Sequence, residues 1–245
     1  MSGHSKWNNI KRKKEKADGA RAKVFTKIGR ELSVAVKEGG GPDPNANSRL
    51  KDCIAKAKAA NVPNDNIERI IKRAAGSGDS TKYEAITYEG YGPNGIAVIV
   101  ETLTDNRNRT AGDLRHYFDK FGGNLGTSGC VSFLFQRKGV LVVEREGHDE
   151  DKVMEDCLET GASDFQADDD VFEIYTEPDD FSGVRTDLEK KGYRFVSAQI
   201  EMVPNTYVTL NDEGAASRMQ HLLDALEDND DVQNVWHNWE NPEEE

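Results

Sequence analysis

No stretch of this chain approaches the roughly 18 consecutive apolar residues that a membrane-spanning helix requires. Its opening, MSGHSKWNNIKRKK, lacks the apolar core and small-residue cleavage site of a secretory signal. The Arg- and Ser-rich amphipathic character of a transit peptide is missing as well. Cysteine is scarce. Cys53, Cys130 and Cys157 are odd in number and scattered, which argues against a disulfide framework or a zinc site. The compartment these absences imply is a reducing cytoplasm, with no membrane contact. Catalytic signatures are missing too: there is no P-loop, no metalloprotease His pair, no CxxC and no serine nucleophile elbow. His4, His116, His148, His221 and His237 lie far apart without metal-ligand spacing. The expectation is a protein without enzymatic activity, cofactor or metal.

What is present is a strong segregation of charge. The net charge of −13 over 245 residues suggests an acidic protein indifferent to nucleic acid. Residues 1–80, however, hold 18 Lys+Arg against 9 Asp+Glu, and the remainder 14 against 36. The first 30 residues alone carry 10 basic and 2 acidic side chains. A polyanion is repelled by two thirds of such a molecule and drawn to one end.

The hydrophobic period divides the chain the same way. Residues 1–20 show no period beyond Trp7 and Ile10 and read as a basic arm. From Ala20 to Glu38, Phe25, Ile28, Leu32 and Val36 recur at helical spacing, and GGGPDP stops the helix. A second helix is expected from about Asn47, with Leu50, Ile54 and Ala57 inward. Pro63 interrupts it, and a third helix carries Ile67, Ile70, Ile71 and Ala74, capped by Asn64 or Asp65. Gly76 to Ser80 reads as a linker. Strands follow at Tyr83–Glu89 and Ile96–Leu103, then a helix with Leu114, Phe118 and Phe121 on one face, and a strand at Val131–Phe135.

Beyond Gly139 the order is strand (Val140–Glu144), helix (Asp149–Thr160), strand near Phe165, strand (Val171–Thr176), helix (Pro178–Lys190) and strand (Arg194–Met202). This β-α-β-β-α-β order is that of a ferredoxin-like unit. A strand (Thr206–Leu210), a helix (Asp212–Glu227) and a strand (Val232–Trp236) remain, too few to fold alone, and are expected to complete the sheet begun at Tyr83. The predicted class is α+β in three domains. A basic arm and three-helix domain occupies 1–80, and a discontinuous α/β-sandwich middle domain 81–137 and 204–245. An acidic ferredoxin-like domain is inserted at 138–203.

Three segments carry candidate chemistry. Gly90 to Gly95 match GxGxxG, but between two strands and with no helix behind to receive a phosphate, so a hairpin turn is expected. In the arm, His4, Lys6, Trp7, Asn8, Asn9, Lys11, Arg12, Lys13 and Lys14 combine phosphate-neutralising charge, two amides and a ring able to stack on an unpaired base. Arg21, Lys23, Lys27, Arg30, Lys56, Lys58, Lys72 and Arg73 would extend that surface over the helices. In DNRNRT, Arg107 and Arg109 stand at a helix start, where free N–H groups favour a phosphate. Equally, this is a helix capped by Asp105, Asn108 or Thr110 with solvated arginines. The glycines Gly122, Gly123 and Gly126, with Asn124, read as a structural loop, and Asp168 to Asp170 as a solvated turn.

The segments GHSKWNNIKRKK at Gly3, KVFTKIGRELSVAVKEGG at Lys23, AKAANVPNDNIERIIKRA at Ala57, TYEGYGPNGIAVIVETLTDNRNRTAGDLR at Thr87 and FGGNLGTSGCVSFLF at Phe121 together resemble the YebC/PmpR family of bacterial regulatory proteins. That family includes a mitochondrial translational activator. The resemblance spans essentially the full length; Cys130 departs from it mildly, since members often have Ser or Ala there. It implies a three-domain fold without enzymatic activity. Members are commonly labelled probable transcriptional regulators that bind DNA, while others resemble ribosome-associated translation factors. The GHSKW arm is then the segment expected to approach RNA.

The functional expectation is a nucleic-acid-binding regulator of gene expression, monomeric or weakly dimeric. By family label it is a DNA-binding transcription regulator. The alternative is a translation factor that binds ribosomal RNA on the ribosome. An adaptor whose acidic domains recruit proteins is a further alternative.

Overall fold

The computed structural model describes residues 21–76 and 81–240. These form two compact units, one comprising 21–76, 81–133 and Leu210–His237, the other Leu134–Thr209 and 238–240.

The first unit begins with α1 (Arg21–Glu38), α2 (Ser48–Ala59) and α3 (Asn64–Ala75). Their apolar stripes, with Ile28, Leu32, Leu50, Ala57 and Ile67 buried, meet in one core. Asn47 caps α2 by accepting from the Leu50 amide, and its own amide group donates to Ala35 and Gly41 carbonyls, tying the α1–α2 loop shut. Asn61 takes the left-handed conformation (φ 56°) that ends α2, with Val62 N–H returning to the Ala57 carbonyl. The cap expected at the head of α3 is absent. Asn64 is already helical, Pro63 holds the cap position without a side-chain bond, and its fixed φ starts the helix instead.

The sheet of this unit has the order β3-β1-β2-β9, where β1 is Glu84–Tyr91, β2 Ala97–Thr104, β3 Asn124–Leu125 and β9 Val232–His237. All its neighbours are antiparallel. Seven of the eight residues of the central β2 are buried, as its near-continuous apolar run demands. The GxGxxG segment is the β1–β2 turn, with Asn94 at φ 54°. Helices α4 (Arg107–Lys120) and α7 (Glu213–Asp228) bury Leu114, Phe118, Met219, Leu222, Leu223 and Leu226.

The second unit is built on a sheet of order β5-β6-β4-β7, from β4 (Phe135–Glu144), β5 (Asp164–Ala167), β6 (Val171–Thr176) and β7 (Ser197–Pro204). With α5 (Glu150–Thr160) and α6 (Phe181–Lys190) this is the ferredoxin-like arrangement, antiparallel throughout. Leu141, Val143, Phe172 and Ile174 face Val153, Cys157, Phe181, Val184 and Leu188 across the core. Gly139 sits where a side chain would stand 2.9 Å from the Phe181 Cβ, so only glycine lets α6 approach β4 this closely.

Three expectations are corrected here. Val131–Phe135 is not a strand: Ser132–Leu134 make a single 3-10 turn, and β4 runs unbroken from Phe135 through the polar Gln136, Arg137 and Lys138. Pairing with Val203, Met202 and Glu201 of β7 satisfies that backbone, although its side chains are polar. Helix α6 starts at Phe181 rather than Pro178, residues 178–180 forming a turn. Finally, of the three closing elements only β9 joins the first sheet, with α7 packed against it. The strand expected at Thr206–Leu210 is reduced to β8 (Val208–Thr209), which pairs in parallel with β10 (Trp239–Glu240) in a separate ribbon.

Within the ferredoxin-like unit, Asp156 accepts from Lys191 (2.7 Å), Lys152 (3.1 Å) and the Tyr193 hydroxyl (2.7 Å). The Lys191 bond above all, opposed by burial and aided by Tyr193 and Lys152, lowers its carboxyl from 3.8 to about 2. A depressed folded-state pKa stabilises above the unfolded value, and the contribution fades as pH falls from about 4 toward 2. Asp156→Asn should therefore cost on the order of 1–2 kcal/mol at pH 7 and flatten the acid limb of the stability curve. Urea unfolding between pH 2 and pH 7 checks it; parallel curves for both proteins would refute the assignment.

Candidate nucleic-acid interface

Lys23, Lys27 and Arg30 occur at i, i+4 and i+7 and so form one stripe along α1. The fold turns that stripe toward its own acidic groups. Lys23 pairs with Asp228, and the Lys27 ammonium donates to the Glu227 carbonyl (2.6 Å) in the last turn of α7, where the dipole favours a cation. Arg30 donates to Asp231 (2.6 Å) and to the Leu103 carbonyl (3.0 Å), and its guanidinium stands 5.3 Å from the Tyr83 ring centroid. Lys56 is bound by both oxygens of Glu31 at 2.7 and 2.9 Å. Lys58, Arg69, Lys72 and Arg73 are exposed on α2 and α3.

The DNRNRT segment is a capped helix start, but the cap is Asn106, whose side chain accepts from the Arg109 amide at 3.1 Å. Asp105, Asn108 and Thr110, the caps expected from sequence, do not fill that role. Asp105 instead pairs with the Arg109 side chain, and Thr110 is buried with its hydroxyl 2.8 Å from Asp231. Arg109 also binds both Asp231 oxygens, at 2.9 and 2.8 Å. Arg107 remains 68% exposed, 3.7 Å from Glu84. Asp231, which no local pattern singles out, thus gathers Arg30, Arg109 and Thr110. Burial works to raise its carboxyl, but the bonds from Arg109, Arg30 and Thr110 outweigh burial and hold it below the usual carboxylate range.

A second buried acid organises the glycine-rich loop. Glu89 on β1 accepts from the amides of Gly129 (2.8 Å), Val131 (2.9 Å) and Ser132 (2.8 Å), and the Tyr91 hydroxyl donates to the Cys130 carbonyl (3.1 Å). Burial opposes ionisation of Glu89, but the three amide bonds win and lower its pKa. The loop's tip, residues 126–129, is exposed and held in one shape from beneath. The one sign of this in the sequence is a carboxylate at an inward position of a strand. Glu89→Ala should cost about 2–3 kcal/mol, since three amides lose their acceptor. It should also speed hydrogen exchange at Gly129, Val131 and Ser132, and unchanged exchange there would refute the role. Being depressed, this carboxyl contributes its stability above about pH 4 and loses it as pH falls further.

Burial pushes the Cys53 and Cys157 thiols up to about 12, away from the reactive thiolate form. Among the described residues, no three His, Cys, Asp or Glu side chains gather as a metal-ligand set, and no helix is long and apolar enough to cross a membrane. The arm residues His4, Lys6, Trp7, Asn8, Asn9, Lys11, Arg12, Lys13 and Lys14 lie outside the described residues.

The family model of the TACO1/YebC protein N-terminal domain matches residues 5–77, and that of the TACO1/YebC second and third domain matches residues 83–239. This chain belongs to the TACO1/YebC family. A "probable transcriptional regulatory protein" of Acetivibrio thermocellus is 62% identical over 240 residues, covering 98% of this chain and 99% of the relative. One of the same description from Caldicellulosiruptor bescii is 62% identical over 245 residues, covering both chains fully. The crystal structure of a conserved hypothetical protein from Aquifex aeolicus superposes with a TM-score of 0.83 at 47% identity, covering 93% of each chain. The TACO1/YebC relatives thus carry the name of regulatory proteins, and the fold is shared with a solved one.

Proposed function

We propose that this TACO1/YebC protein is a nucleic-acid-binding regulator of gene expression, and that its target is RNA with unpaired bases rather than duplex DNA. The observation that carries the reading is the charge segregation: an excess of nine positive charges in residues 1–80 against an excess of 22 negative charges in the rest. Phosphate neutralisation and counterion release then favour one end of the molecule.

The preference for RNA rests on α3. It follows α2 after the four residues 60–63, a spacing compatible with a helix-turn-helix. A recognition helix reads bases with its N-terminal residues, and here those include the exposed carboxylates Asp65 and Glu68, which repel a duplex backbone. Arg69, Lys72 and Arg73 lie further along the same helix. A basic arm with a stacking Trp7 suits unpaired bases better than a duplex groove. Duplex DNA is the reading that the relatives' names favour, and the same experiment distinguishes it.

In-cell ultraviolet crosslinking of the full chain, with sequencing of both RNA and DNA, is the test. Ribosomal or other RNA crosslinks that fade with Trp7→Ala are expected. Enrichment at promoters without RNA would replace this reading with a transcriptional one. Recovery of neither would shift the activity to the acidic unit and a protein partner.

A further inference from the structure

The first unit carries a layered patch that neither the arm nor the helical head includes. Phe121 ends α4 and is half-buried, while His221 on α7 is exposed, and their rings stack with centroids 5.9 Å apart at 25°. The exposed Lys120 sets its ammonium 5.2 Å from the Phe121 ring centroid. Gly122, at φ 79°, continues the chain where most residues would be strained, and its missing side chain leaves Arg218 uncovered. The Arg218 Nε lies 3.6 Å from where a Cβ on Gly122 would stand. Arg218 meets Asp212 only at 4.0 Å, with both side chains about half-exposed or more, so its guanidinium keeps most of its donor capacity.

An exposed imidazole stacked on a phenyl ring, with an ammonium near that ring and a guanidinium beside the following glycine, has the makings of a nucleotide subsite. Rings of this kind stack on an unpaired base, and the adjoining cations answer its phosphates. A glycine between ring and guanidinium lets a sugar-phosphate backbone come close. The helix-buried faces of α4 and α7 hold the parts in place, because Leu114, Phe118, Met219 and Leu222 fix both helices.

We propose that Lys120, Phe121, Gly122, Arg218 and His221 form a second contact for single-stranded RNA, in which one unpaired base stacks on His221 and a flanking phosphate is held by Lys120 and Arg218. This rests on the RNA-binding reading above and adds to it a local cationic site within the otherwise acidic remainder of the chain, where Lys120 and Arg218 must offset the surrounding negative charge. The test uses the full chain and an unstructured RNA oligonucleotide carrying 4-thiouridine. Photocrosslinked peptides should include the one spanning Phe121 or the one spanning His221. His221→Ala should weaken binding about tenfold. Lys120→Gln with Arg218→Gln, both exposed and away from the core, should flatten the slope of log K against log salt by about 1.4. Crosslinks confined to residues 1–20, with both variants binding like wild type and melting like it, would overturn the patch while leaving the RNA reading intact. An absence of any RNA binding by the wild-type chain would overturn both.

Discussion

Asp231→Ala is expected to lower the unfolding free energy by about 3 kcal/mol, a large effect for the loss of one charged side chain. The carboxylate is 4% exposed and lies between Arg30 on α1 and Arg109 on α4, with the Thr104 and Thr110 hydroxyls 3.3 and 2.8 Å from one oxygen. Removing it leaves Arg30, 15% exposed, with the Leu103 carbonyl and the Tyr83 ring but without the carboxylate that neutralises it. Arg109 is 45% exposed and can re-solvate, which is why the figure stays at the low end for a broken buried pair. The melting temperature of the helix-and-sheet unit should fall by roughly 6–12 °C. Asp228→Ala is the control: its pair with Lys23 is exposed on both sides, and its loss should cost less than about 1 kcal/mol. Equal effects of the two changes in a thermal melt at pH 7 would show that Asp231 is no hub. The difference should also depend on pH. Because the Asp231 carboxyl is held low in the folded state, its contribution is complete above the unfolded value of about 3.9 and shrinks as pH falls below it.

The second large effect concerns binding. Replacing Lys11, Arg12, Lys13 and Lys14 together by glutamine should flatten log K against log salt by about 3 for single-stranded RNA. Between 50 and 200 mM salt, the wild-type chain should then lose roughly 50-fold more affinity than the variant. Lys23, Lys27, Arg30, Lys56 and Arg109 would all count as phosphate ligands by their charge, yet each donates to a carboxylate or carbonyl of this chain. Binding through them must first break those bonds, which a polyanion at physiological salt does at a disadvantage. An unchanged slope, with nucleic-acid binding intact, would move the phosphate contacts onto the outer faces of α2 and α3. No nucleic-acid binding by either protein would favour the adaptor reading.

Much of the architecture is legible in the sequence because it rests on local regularities. The stripe Ile28, Leu32, Val36 marks a helix, and the run from Ile96 to Leu103 a strand. The GxGxxG segment is readable as a turn because its context lacks a helix. The order of elements after Gly139 carries the ferredoxin-like topology without any knowledge of pairing. Where local pattern misleads, the deciding partner is distant. Gln136 to Lys138 carry no strand pattern of their own, and it is pairing with β7 that makes them part of β4. Val208–Thr209 looks like a fifth strand for the first sheet until β10 takes it instead.

The candidate site divides in the same way. Composition and order alone determine that positive charge gathers at the amino-terminal end, that the remainder is acidic, and that three helices precede a mixed α+β body. These depend on sums and periods, which every residue reports independently. Only the tertiary structure decides which cations face a ligand and which face their own chain. Coulombic pairing acts across a few ångströms of space regardless of separation along the chain, so Asp231 can claim Arg30 from 201 residues away and Arg109 from 122. The same is true of the stack of Phe121 on His221, made by two helices packing side by side.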